Sequence, residues 1–129
     1  MQPWRKVWDV AKALIPTPAL ERLRDALELD DVRLIQGATC DPPALLQHHP
    51  DPCLGACLLG FCGLAGGLET VADTEEYFAR MCFEIDQRLG EPAGVRWLLN
   101  WWDETPRAEA FCLLLAAVDQ ELRARRQIP

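Results

Sequence analysis

Apolar residues recur at helical spacing along most of this chain of 129 residues. The clearest stripe follows Asp73 and stops at Gly90, and it consists of Tyr77, Phe78, Met81, Cys82, Ile85 and Leu89. Such a period indicates an amphipathic helix with one face in a core. Since half of the residues are hydrophobic, a chain of this length can bury a core without disulfide or metal cross-links. The pattern predicts an all-α fold in one domain, residues 1–129, with about five to six helices in a bundle or orthogonal array.

Helix-starting residues divide this pattern into segments. The predicted helices begin at or near Pro3, Thr17, Pro52, Asp73, Pro92 and Thr105. The first is expected to end at Ile15, and the fourth would start one turn earlier if Thr70 supplied its cap. Residues 30–37 fit a short strand or a helical turn equally well. Residues 37–52 are predicted to form a loop with one helical turn at 42–47, and no strand is predicted elsewhere.

The segment after Asp51 is apolar on every side. It contains Leu54, Cys57, Leu58, Phe61 and Leu64 with almost no polar residue between them. A helix of this kind belongs at the centre of a fold. Its glycines lower intrinsic helix stability by about 1 kcal/mol each relative to alanine, so packing has to stabilise it. We therefore predict a central helix, rich in glycine and cysteine, around which the others pack.

The six cysteines are compatible with a disulfide framework or with reduced, buried thiols. Asp9 and Lys12 interrupt the apolar stretch that a signal peptide would need in the first sixteen residues. The sequence therefore favours reduced thiols in a cytoplasmic protein. The most apolar run, residues 53–67, is too short for a bilayer, which needs about 20 residues, and no membrane span is predicted.

The chain carries a formal charge of -7, and the acid is concentrated in one stretch. Between Glu69 and Glu104 nine carboxylates face three arginines. A surface of this sign repels phosphate backbones, which argues against general nucleic-acid binding. It favours a protein partner with a basic surface, and self-association into a homo-oligomer stays open.

Residue types exclude several kinds of catalysis. The chain has no serine, and its two histidines are adjacent at His48 and His49. A serine triad and a pair of separated histidine ligands are therefore impossible. A cysteine nucleophile with a histidine base lacks any evident orienting group. The sequence favours a non-enzymatic protein and indicates no cofactor.

One stretch nevertheless gathers soft and borderline metal ligands. His48, His49, Cys53 and Cys57 lie within a loop and the predicted start of the central helix. Two cysteines four residues apart would share a helix face, and a histidine could complete a zinc or copper site. The spacing matches no strong zinc pattern, so buried thiols beside an exposed histidine pair are the competing interpretation. A metal-binding protein is thus an alternative to the favoured function.

Tryptophan is in surplus: the chain has five, and three stand in one predicted helix. Trp102 belongs to the core stripe, whereas Trp97 and Trp101 either flank the core or form an exposed ledge beside Arg96. Tryptophan is enriched at binding hot spots. The favoured hypothesis is therefore an interaction module, acting as a subunit, adaptor or inhibitor through an acidic face with tryptophans. That face is expected to contain Trp97, Trp101, Arg96, Glu75 and Glu76.

A third hypothesis is a small-molecule or lipid-binding pocket between the helices. It would be lined by Trp97, Trp101 and Phe61. Ligand pockets of this type are mostly apolar and aromatic, with few polar groups.

Overall fold

The structure is a computed structural model and describes residues 2–127. Within these residues the chain is mostly helical, as the sequence predicts, with a single two-stranded sheet. The helices are α1 (Pro3–Lys12), α2 (Thr17–Glu28), α3 (Leu58–Ala65), α4 (Val71–Leu89), α5 (Arg96–Glu104) and α6 (Arg107–Arg126). The strands are β1 (Cys40–Asp41) and β2 (Gly55–Ala56).

The ends of α4 follow the local sequence closely. Thr70 is the N-cap, and its hydroxyl accepts a hydrogen bond from the Asp73 backbone N–H at 3.2 Å. The earlier of the two predicted starts is therefore confirmed. Gly90 ends the helix with φ of 69°, a left-handed conformation that glycine adopts without a steric penalty. The first helix ends at Lys12 rather than Ile15, because the amides of Leu14 and Ile15 bond to carbonyls only three residues back.

The predicted start of the central helix at Pro52 is wrong. Residues 53–57 are extended, and α3 begins at Leu58 with Cys57 as its N-cap. The amides of this stretch bond to distant carbonyls, such as Cys53 N–H to Glu69 at 2.7 Å and Ala56 N–H to Arg33 at 2.8 Å. A short apolar run fits a buried strand as well as a buried helix, and here the distant partners decide between them.

The expectation that residues 37–57 contain no strand is also wrong. β1 and β2 pair antiparallel, with Cys40 opposite Ala56 and Asp41 opposite Gly55. On its other side Ala56 pairs with residues 33–35, and its carbonyl accepts from the Ile35 amide at 2.9 Å. The helical turn predicted in this loop is a 3-10 turn at Leu46–His48, slightly later than expected.

Helix α5 begins at Arg96, four residues after the predicted start at Pro92. The Asp86 carboxylate accepts hydrogen bonds from the amides of Ala93 and Val95, at 3.1 and 2.8 Å. Ala93 has a positive φ of 59°, which is incompatible with a continuous helix. These contacts hold residues 92–95 in turns and attach the start of α5 to the end of α4.

The apolar helix α3 is buried, in agreement with its sequence. Every residue from Leu58 to Gly63 is buried, and the helix packs against α2, α4 and β2. Elsewhere α1 packs against α4 and α5, and α2 packs against α6. Within residues 2–127, no helix has the length and apolar character needed to cross a membrane.

Close packing at Gly63 is testable by adding a methyl group. A Cβ there would lie 2.8 Å from the Tyr77 ring and 2.9 Å from Leu68. We expect Gly63→Ala to lower the free energy of unfolding by about 1 kcal/mol, because overpacking (~1–3 kcal/mol) exceeds the gain in helix propensity (~1 kcal/mol). Gly66→Ala is the matched control, since its nearest contacts would be 3.4 Å away. Urea unfolding measures both variants; equal stabilities would contradict the tight contact.

Candidate functional site

The tryptophans of α5 differ in exposure. Trp102 is fully buried, whereas Trp97 is 42% exposed. Trp101 is half-buried and stacks on Trp4 of α1, with ring centroids 3.9 Å apart and planes 8° from parallel. Of the two sequence alternatives, Trp101 therefore flanks the core and Trp97 forms an exposed ledge.

Buried contacts of Trp102 set the orientation of α5. Its indole N–H donates to the Ile35 carbonyl at 2.8 Å, and its ring stacks on Phe111 at 5.3 Å. Trp97 lies about 140° around the same helix from Trp102, because successive residues turn by about 100°. Fixing Trp102 inward therefore directs Trp97 outward.

An open depression, here called the aromatic depression, lies beside these rings. It has a volume of about 460 Å³, and its floor and walls include Trp4, Trp97, Trp101, Glu104, Glu109 and Leu113. Glu104 ends α5 and Glu109 lies in the first turn of α6, so the helix junction brings the two acids to one site. Both are exposed, and neither belongs to an ion pair within the described part of the chain.

The electrostatics of the aromatic depression suit a cation. The face of an indole has a negative electrostatic potential, and a carboxylate carries a negative charge. Arg5, which does not line the depression, has its guanidinium carbon 4.5 Å from the Trp4 ring centroid. Arg96 is exposed at the first position of α5 and lies outside the lining of the depression. The depression therefore places an exposed indole beside two exposed carboxylates.

Glu75 and Glu76 do not line the aromatic depression. They lie in the second turn of α4, where a Glu75 carboxylate oxygen is 3.6 Å from His49 Nε2. Both glutamates are about 16 Å along α4 from Asp86, at a rise of 1.5 Å per residue. Asp86 is the residue whose carboxylate bonds to the turn before α5. The structure thus brings Trp97 and Trp101 together and places the two α4 acids elsewhere.

The metal-ligand candidates have other partners. His48 Nδ1 lies 2.9 Å from an Asp51 carboxylate oxygen, and the Cys53 thiol donates to the Gly55 carbonyl at 3.2 Å. Cys57 is buried at the N-cap of α3. Within residues 2–127, no group of three or more His, Cys, Asp or Glu side chains is arranged to hold a metal ion.

Half of the thiols behave as core side chains. Cys40, Cys57 and Cys62 are buried, and all six cysteines are free. Burial raises the pKa of Cys57 to about 11. Burial also raises the pKa of Cys40 to about 11, and the neighbouring Cys53 contributes to the same shift. These thiols stay protonated at neutral pH and are poor nucleophiles there.

The three residues of the predicted small-molecule pocket lie at two different places. Trp97 and Trp101 line the aromatic depression. Phe61 is buried in α3 and borders a separate depression with Arg22 and Arg33. A single cavity with these three walls is therefore not formed by the described residues.

No model of a known protein family matches the chain. Comparison with curated proteins finds no match, and comparison with solved structures finds none either. The chemistry of the aromatic depression therefore rests on this chain's own residues.

The sequence pattern missed several parts of this site. Trp4 is buried in the core and Glu104 is the last residue of α5, so nothing in the local sequence marks either as a site residue. Glu109 and Leu113 belong to a different helix from the tryptophans. The available signal was the Thr105–Pro106 break, which joins two helices with almost no linker and so brings their ends together.

The raised thiol pKa values predict a loss of stability at high pH. An unfolded cysteine ionises near its ordinary pKa of 9.0, while buried Cys57 stays neutral up to about 11. The stability that the buried, neutral thiol contributes is fully present below the pKa of the unfolded state. It is lost as pH rises toward the pKa of the folded state. We expect Cys57→Ala to reduce the fall in unfolding free energy between neutral pH and about pH 10 by about 1 kcal/mol. Urea unfolding at both pH values tests this, with exposed Cys112→Ala as the control that should leave the fall unchanged.

Proposed function

We propose that the chain is a protein-interaction module that holds an arginine or lysine side chain of a basic partner segment in the aromatic depression. One observation carries the proposal: Trp97 is 42% exposed beside two exposed carboxylates of the chain. Tryptophan is enriched among the residues that anchor protein contacts, so an exposed indole beside two carboxylates is a suitable anchor for a basic partner.

The contacts available to a cation support this choice of partner. The charged group would lie over the Trp97 ring, and Glu104 and Glu109 would accept its hydrogen bonds. A cation over an indole contributes about 0.5–1 kcal/mol when exposed and about 2 kcal/mol when desolvated. Leu113 and Pro3 give an apolar wall for the aliphatic part of the side chain.

Charge outside the depression supports the same partner. The formal charge is -7, and α4 adds Glu75 and Glu76 at a distance from the contact. Such charges steer a basic segment toward the protein without touching it. We assign Trp97, Trp101, Glu104 and Glu109 to contact, and Glu75 and Glu76 to steering.

The contact is tested with a short peptide of alternating arginine and alanine, titrated by calorimetry. We expect Trp97→Ala to weaken binding about tenfold, because it removes the exposed aromatic anchor. Phe83→Ala is the matched control, since Phe83 is a large aromatic residue that is 62% exposed on α4. Equal effects of the two changes, or equal binding of a peptide with glutamate in place of arginine, would refute the proposal.

Residues that contact the peptide and residues that only steer it are expected to change different rate constants. We expect Glu104→Gln with Glu109→Gln to raise the dissociation rate of the arginine peptide severalfold, because hydrogen bonds in the complex are lost. Glu75→Gln with Glu76→Gln removes the same charge at a distance and is expected to lower mainly the association rate. Surface plasmon resonance at low and physiological salt separates the rates. If both pairs changed only the association rate, the depression would not be the contact.

A further inference from the structure

A second open groove lies on another part of the molecule, where the α1–α2 connection meets α3 and α4. Its volume is about 520 Å³. The apolar walls include Leu14, Pro16, Ala19, Leu68 and Met81. Its polar groups are Arg22, Arg80 and Tyr77. We call this site the arginine groove.

Both arginines can contribute positive charge to a bound molecule. Neither Arg22 nor Arg80 forms an ion pair within residues 2–127. Arg22 donates one hydrogen bond to the Ala65 carbonyl at the end of α3. A guanidinium has five N–H donors, so most of them stay available.

Tyr77 adds a neutral hydrogen-bond donor to the lining of the arginine groove. Its ring is held beside Gly63, where a Cβ would lie 2.8 Å from the ring. Burial raises the pKa of Tyr77 to about 12, although nearby Arg80 acts in the opposite direction, so the hydroxyl keeps its proton at neutral pH. None of the hydrogen bonds within the described part of the chain uses this hydroxyl.

We propose that the arginine groove binds a small amphipathic carboxylate, with the apolar tail against Leu68 and Met81 and the head at Arg22, Arg80 and Tyr77. Charge complementarity selects this ligand: two arginines without ion-pair partners stand at an apolar groove of a protein whose formal charge is -7. A guanidinium and a phenol O–H are matched donors for a carboxylate. The site is separate from the aromatic depression and does not depend on its function.

Nearby acids limit the charge that the head can carry. Glu76 and Glu84 lie one helical turn from Arg80, and Asp25 lies one turn from Arg22. Glu84 is 3.8 Å from Arg88, which partly neutralises it. A single negative charge is therefore better matched than a doubly charged phosphate monoester.

Decanoate is the probe, used below its micelle-forming concentration. The chain has two methionines, so a spectrum of ¹³C-methyl methionine contains one signal from Met81, which lines the groove, and one from Met1. We expect decanoate to shift the Met81 signal in a saturable manner. 1-Decanol, which has the tail without the charge, and acetate, which has the head without the tail, are expected to bind at least tenfold more weakly.

Substitutions in the groove test where the carboxylate of decanoate binds. Arg80→Gln is expected to weaken decanoate binding about tenfold, and Tyr77→Phe, which keeps the ring, severalfold. Arg88→Gln, on the same helix but outside the groove lining, is the control and should bind like the unchanged protein. Absence of a saturable Met81 shift, equally tight binding of 1-decanol, or equal affinities of Arg80→Gln and Arg88→Gln would each overturn the proposal.

Discussion

The burial of α3 is the constraint that the packing of α2, α4 and β2 satisfies. This helix has eight residues and no polar side chain, and a helix of that length is marginal in water without packing. Its neighbours must therefore supply apolar surface on several sides, and α2, α4 and β2 do so. Close approach is possible at Gly63, where the Tyr77 ring occupies the space of a missing side chain. The same contact places Tyr77 at the arginine groove, so the packing of the core also shapes a candidate binding site.

The irregular segment between α2 and α3 needs partners for its backbone, and α5 and α6 supply them. Trp102 donates to the Ile35 carbonyl, while Arg107 donates to the carbonyls of Leu34 and Asp31 at 2.8 and 3.0 Å. The segment also donates in return, because the Gln36 side chain donates to the carbonyls of Trp102 and Thr105. Unpaired buried backbone groups would be costly, so these bonds fix the segment and the helix junction together. They also fix the rotation of α5, which leaves Trp97 in solvent.

The two candidate sites have opposite electrostatic character within one acidic molecule. The aromatic depression combines indole rings with Glu104 and Glu109, whereas the arginine groove combines apolar walls with Arg22 and Arg80. Net charge acts on other charged molecules at long range. Specific recognition depends on which side chains the helix junctions bring together, and here those junctions gather two carboxylates at one place and two arginines at the other.

Local sequence determined the helical fold and most helix ends, because periodicity, caps and glycine act over a few residues. Thr70 and Gly90 bound α4 as their chemistry requires, and the apolar sequence of α3 required burial. Only the tertiary structure decided that residues 53–57 are extended, because their hydrogen-bond partners are distant in sequence, such as Arg33 for Ala56. The same holds for the sites: Trp101 stacks on a ring from α1, and Glu109 joins the tryptophans across a helix junction. Contacts between elements that are far apart in the chain leave no periodic signal in the sequence, and so packing alone determined which tryptophan faces solvent.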